Sequence, residues 1–182
     1  LYFEVFDRVL LDPPCSALGT LATCPEVLMW WSPARTEKLA RIQRDLLISG
    51  IKALKPGGVL VYSTCTIAPE ENEGVIADIL KRYPVELEEI RIEGLRVRPG
   101  VEEFRGRRFP PEISRTVRIW PHENPGEGFF VARLIKVAPL PPKGQGGGTK
   151  PLDLLGADHP PLRDRLLMLE EHFGLPQEFF SP

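Results

Sequence analysis

Two cysteine-bearing loops, each closing an apolar, strand-like run, constrain this chain more than any other feature. The first run, Leu1–Leu11, ends at Asp12-Pro13-Pro14-Cys15-Ser16; the second, Val59–Tyr62, ends at Ser63-Thr64-Cys65-Thr66. Between them a helix is expected, with Ser32 as its cap, Pro33 in its first turn and Leu39, Ile42, Leu46 and Leu54 along one face. A strand, a helix and a second strand in this order form a parallel crossover, which brings both strand ends to one edge of a sheet. Open α/β sheets hold their ligands at that edge. Cys15 and Cys65 are therefore expected to face one cleft, either as working thiols or as the small buried hydrophobes that free cysteines commonly are.

The same periodicities carry the reading further along the chain. Gly57-Gly58 is expected to end the first helix. Pro69 opens a second one, with Glu70, Glu71 and Glu73 in a first turn where the helix dipole favours carboxylates and Val75, Ile76, Ile79 and Leu80 as its buried stripe. Val85–Ile92, Arg118–Trp120 and Phe129–Val137 read as strands, and Cys15–Trp31 as a long loop. A Pro/Gly-rich linker is expected at 139–157, around Lys143–Lys150, followed at 158–182 by a short helical segment capped by Asp158. The expected class is α/β: parallel strands with crossover helices, then an antiparallel edge.

Composition narrows the function. A net charge of −2 removes the argument for a globally basic nucleic-acid binder. No apolar run approaches the ~20 residues of a membrane span, and no basic segment followed by an apolar stretch opens the chain. Three cysteines without paired spacing point to a reducing compartment, hence the cytoplasm, rather than to a disulfide scaffold. His122, His159 and His172 have no ligand spacing with the cysteines, so no metal site is expected.

The strings FDRVLLDPPCSALGT (Phe6–Thr20) and LKPGGVLVYSTCTIAPEENE (Leu54–Glu73), with Trp120-Pro121-His122 and GFFVARLIK (Gly128–Lys136), resemble the Sun/Fmu family of S-adenosylmethionine-dependent RNA cytosine-5 methyltransferases. The resemblance implies the C-terminal half of a Rossmann-like methyltransferase sheet over residues 1–138, with 158–182 as the start of an additional RNA-binding region. It makes Cys65 the nucleophile that adds to carbon 6 of cytosine, and Cys15 a partner in product release. Cysteine suits this step because its thiolate is accessible near neutral pH and leaves readily. Asp12 would lie between cofactor and base, and Pro14 would shape the floor under the base. The glycine-rich cofactor turn of the family is not among these residues, since Gly57-Gly58 follows a helix and precedes a strand. Most of the S-adenosylmethionine site, with the N-terminal half of the catalytic domain, is therefore expected to lie outside this chain, which would be inactive alone.

RNA, ribosomal or transfer, is the partner the resemblance implies. Between Arg91 and Arg118 eight arginines stand against four glutamates, interleaved with Phe104 and Phe109. Arg105, Arg107 and Arg108 are the phosphate-binding candidates, on a stretch that could equally be a solvated loop. Trp30-Trp31 either lines the target pocket or packs under the loop, and Asn72 is a candidate polar contact near the site. The alternative is a non-catalytic RNA-binding or assembly module; an exocyclic-amine methyltransferase using Asp-Pro-Pro would leave Cys65 and its placement unexplained, and a further reading is a dithiol redox site. The last requires the two sulfurs to be close.

Overall fold

The computed structural model describes residues 2–141 and 167–168. Of the linker and terminal segment expected from the sequence, only 139–141 and the helical pair 167–168 fall within the described residues.

Strand β1 (Phe6–Leu11) is reached through a left-handed turn at Glu4 and stops at the prolines, which lack donors for the ladder. A short 3-10 turn (Leu18–Thr20) and a one-turn helix α1 (Val27–Trp30) interrupt the long loop that follows. Helix α2 (Pro33–Ala53) begins as the sequence predicts, with the Ser32 hydroxyl accepting from the Arg35 amide and Pro33 in the first turn.

Its buried face differs from the expected one. Thr36, Ala40, Gln43, Leu47 and Ile51 point inward, while Ile42 and Leu46 are 39% and 37% exposed. The two stripes are one residue, about 100°, apart on the helix. The inner one prevails because Gln43 has hydrogen-bond partners there, which offset the cost of burying an amide.

The end of α2 also differs. The helix stops at Ala53, and strand β2 (Leu54–Thr64) includes the two glycines expected to end the helix. The parallel register with β1 slips between Phe6↔Leu54 and Arg8↔Val59, so Lys55–Gly58 bulge out with Gly57 at φ 79°. There a glycine supplies the left-handed conformation a bulge needs. The buried ammonium of Lys136 closes α2 by donating to the carbonyls of Ile51 (3.0 Å) and Leu54 (2.8 Å).

Pro69–Asn72 form turns rather than helix, and α3 spans Glu73–Leu80. Five short strands follow: β3 (Val85–Glu88), β4 (Val97–Pro99), β5 (Glu103–Phe104), β6 (Arg107–Arg108) and, after a 3-10 turn at Pro111–Arg115, β7 (Val117–Ile119). Strand β3 is shorter than the expected Val85–Ile92. Strand β8 (Phe129–Lys136) completes the sheet.

The sheet order is β1-β2-β8-β7-β4, with β3 also on β8, while β5 and β6 form a separate hairpin. Strands β1 and β2 are parallel, and β8 runs antiparallel to β2, as the sequence reading expects. Across that join Leu60, Tyr62 and Thr64 lie opposite Leu134, Ala132 and Phe130, and all six are buried. Leu47 and Ile51 of α2 and Val75, Ile76 and Ile79 of α3 pack on the same core. Both helices thus brace the strands whose ends carry the cysteines.

Candidate active site

Register sets the site. Leu11 pairs with Tyr62 in parallel, so the chain leaves β1 and β2 at the same edge. Across it the Cys15 and Cys65 sulfurs stand 3.3 Å apart, both free and both half-buried. The Ser16 hydroxyl meets the Thr66 hydroxyl at 2.8 Å, joining the residues that follow each cysteine. Gly19 donates to the Cys65 carbonyl (2.9 Å), and Gly128 donates to the Gly19 carbonyl (2.8 Å). Any Cβ at Gly19 would collide with Gly128 and Cys65 backbone, so only glycine permits this approach.

Each cysteine is also held from both flanks. Around Cys65, Thr64 Oγ1 donates to Asn72 Oδ1 (2.7 Å) and Asn72 Nδ2 donates to the Thr66 carbonyl (2.9 Å). Around Cys15, Gln43 Nε2 donates to the Pro14 carbonyl (2.9 Å) and to Glu71 Oε2 (2.8 Å). The Ser16 amide donates to the same Glu71 oxygen (2.9 Å). Behind them Glu73 and Arg118 form a bidentate buried pair at 2.6 Å, and Arg118 Nη1 reaches the Ile67 carbonyl (3.0 Å). Glu71 and Glu73, expected as helix-dipole carboxylates, are thus buried framework groups of the loops, and Asn72, the candidate polar contact, joins them.

The sulfur pair is electrostatically unequal. A hydrogen bond from Cys15 lowers the Cys65 thiol from its ordinary 9.0 to about 7, against opposing contributions from burial, Asp12 and Glu127. The same bond, aided by burial, holds the Cys15 proton on far above the usual thiol range. Cys65 is thus the sulfur that ionises near neutral pH and Cys15 the one that keeps its proton. Burial pushes the Glu71 carboxyl above the usual carboxylate range.

Asp12 and Pro14 are exposed on the open side of the same loop, while Pro13 is buried. Arg105 pairs with Glu70 (3.3 Å), Arg107 with Asp78 (2.6 Å) and Arg108 with Glu103 (3.0 Å). Only Arg105 of these lines the cavity of about 190 Å³ beside the cysteine loops, with Leu18, Trp31, Ile67 and Phe104. The Trp31 indole donates to Thr36 Oγ1 (2.9 Å), and Trp30 lies under the Arg35 guanidinium. Trp31 therefore both packs against α2 and faces the cavity. Cys24 is exposed and apart from the pair.

Gln43 had one sequence signal, an amide in the inward stripe of an otherwise apolar helix face. The loop-to-loop hydroxyl pair had none, because it depends on a contact across fifty residues.

The chain matches the family described as 16S rRNA methyltransferase RsmB/F over residues 2–135. It is 40% identical over 135 residues to a tRNA (cytosine(49)-C(5))-methyltransferase of Pyrococcus abyssi, covering 74% of this chain and 43% of the relative. It is 41% identical over 144 residues to ribosomal RNA small subunit methyltransferase F of Erwinia tasmaniensis, covering 79% of this chain and 28% of the relative. Among solved structures, NSun6 from Pyrococcus horikoshii with SFG, an S-adenosylmethionine analogue, superposes with a TM-score of 0.58 at 37% identity, covering 71% of this chain and 29% of that one. The chain thus spans less than half the length of these relatives.

Proposed function

The chain belongs to the RsmB/F family of RNA methyltransferases, and we propose that the complete protein methylates carbon 5 of a cytosine in ribosomal or transfer RNA through a covalent bond to Cys65. The observation that carries this reading is the 3.3 Å sulfur pair at the shared edge of β1 and β2, with Cys65 ionising near neutral pH and Cys15 protonated.

Carbon 5 of cytosine is a weak nucleophile. Attack of the Cys65 thiolate on carbon 6 places the electron pair of the 5,6 double bond at carbon 5, with Asp12 steadying the cytosine edge. S-adenosylmethionine would supply the electrophilic methyl group to carbon 5, its sulfonium sulfur keeping the electron pair of the broken sulfur–methyl bond. Loss of the carbon 5 proton to water restores the double bond, and the electron pair of the bond between carbon 6 and sulfur returns to Cys65. With Cys15 as the donor of the sulfur pair, its proton would stabilise the departing thiolate. Exposed Asp12 and Pro14, at a parallel strand end, fit a place beside a cationic nucleoside cofactor, as a carboxylate and an apolar floor do. Arg105, Arg107 and Arg108 extend the RNA surface, and Arg105 lines the cavity that Leu18 and Ile67 of the cysteine loops also line. Free thiols fit a cytoplasmic setting.

In the complete protein Cys65→Ala should abolish methyl transfer, whereas Cys15→Ala should accumulate a denaturant-resistant protein–RNA adduct. An adduct formed by the Cys65 variant would overturn the assignment. The sulfur separation also favours a second reading, a dithiol redox site. That reading requires a fast, RNA-independent cycle between dithiol and disulfide with glutathione, and methylation unaffected by Cys65→Ala.

A further inference from the structure

We infer that the dipeptide Glu71-Asn72 is a positioning device that divides the reaction between the two sulfurs, Asn72 setting Cys65 for attack and Glu71, through Gln43, setting Cys15 for release. The inference rests on the methyltransferase reading above.

The dipeptide lies off both strands, yet each side chain serves a different cysteine. The Asn72 amide spans from the Thr64 hydroxyl to the Thr66 carbonyl, one residue before Cys65 and one after. The Glu71 carboxylate takes the Ser16 amide directly and the Pro14 carbonyl through Gln43, again one residue on either side of the sulfur. Two hydrogen bonds that straddle a residue fix the direction of its Cα–Cβ bond as well as its place. The dipeptide itself is anchored, since the buried Tyr62 hydroxyl in β2 donates to the Glu71 carbonyl at 2.7 Å.

Stability alone does not account for these groups. Gln43, Glu71 and Asn72 are all wholly buried, and Oε1 of Gln43 and Oε1 of Glu71 find no hydrogen-bond partner among the described residues. Glu71 meets no cation among the described residues, and its carboxyl is held by Ser16 and by the Gln43 side-chain amide. Apolar side chains of similar volume would remove the desolvation cost. What they could not do is span a cysteine from both sides. Nucleophile attack and release depend on placing sulfur to within a fraction of an ångström. A framework that spends buried polar groups on one sulfur each is suited to that demand.

The two halves make opposite predictions for one readout. In the complete protein, with unmodified transcripts of ribosomal and transfer RNA and labelled S-adenosylmethionine, Asn72→Ala should lower both methyl transfer and adduct formation by roughly 10-fold to 100-fold. Glu71→Ala should lower turnover by a comparable factor while the adduct accumulates on a denaturing gel, as for Cys15→Ala. Glu71→Gln keeps an oxygen for Ser16 and Gln43 and should restore turnover. Gln43→Ala loses the Pro14 bond without touching α3 and should also accumulate adduct, so it decides the matter if Glu71→Ala fails to fold. Equal loss of adduct in the folded Glu71 and Asn72 variants, or wild-type turnover in either, would overturn the division of roles. Methylation by Cys65→Ala would instead overturn the underlying reaction, and would leave both alanine variants without an adduct.

Discussion

Cys15 and Cys65 are chemically identical side chains, and only their surroundings make one thiol more acidic than the other. The proton between them stays on Cys15, so Cys65 reaches its thiolate at about 7 rather than at the ordinary 9.0. Because the charged form is the favoured one, reactivity should rise with pH through about 7 and fall as pH drops below it. Alkylation by iodoacetamide, followed cysteine by cysteine with mass spectrometry, should show that midpoint for Cys65. Cys15→Ala removes the hydrogen-bond donor and should move the midpoint up toward the ordinary thiol range. An unchanged midpoint in that variant would place the cause elsewhere. Cys24 is an internal reference, since hydrogen bonding to Glu26 raises its thiol and it should lag. Both members of the sulfur pair were legible in the sequence because each closes an apolar run. Glu71 was not, because a glutamate beside a helix start reads as a dipole partner whether it is solvated or buried.

Helix α3 and strand β7 are joined by a charge pair that packing would not require. Glu73 opens α3 and Arg118 lies on β7, both buried, and their bidentate contact also fixes the Ile67 carbonyl behind Cys65. Removing one member leaves an uncompensated buried charge, which costs about 3–5 kcal/mol, whereas replacing both by apolar residues can be nearly neutral. Arg118→Ala should therefore lower the unfolding free energy in urea by about that amount, and Arg118→Met/Glu73→Leu by distinctly less. Equal losses in the single and double variants would show that shape, rather than charge, is what the pair provides. Elements were legible where chemistry is local: the Ser32 cap, the stop that Pro13-Pro14 imposes on β1, and the alternating β8. Placement was less so. The bulge at Gly57 needs a neighbouring strand to exist, and the turn of α2 toward Gln43 needs the partners on the Cys15 loop.

At the scale of the molecule, β1 ends the sheet among the described residues. Among the described residues this strand pairs with β2 alone, and its Leu10 is 76% exposed, with Tyr2, Phe3, Val5 and Phe6 also open to solvent. Ile42 and Leu46 of α2 add to the apolar surface of the chain. The cysteine loops leave β1 and β2 where Leu11 pairs with Tyr62, so a slip of that register would displace one sulfur from the other. An exposed apolar edge strand is also a template for further pairing, which charged side chains suppress. The 182-residue chain should therefore show a mass above 20.5 kDa that increases with concentration in light scattering after size exclusion. Leu10→Lys places a charge where the side chain already meets water, so it should return the mass to that of one chain at little cost in stability. Persistent association of this variant, with the urea midpoint unchanged, would move the contact from the β1 edge to another surface. If the variant is monomeric and its Cys65 midpoint is still about 7, the edge and the sulfur pair are separable properties of one strand.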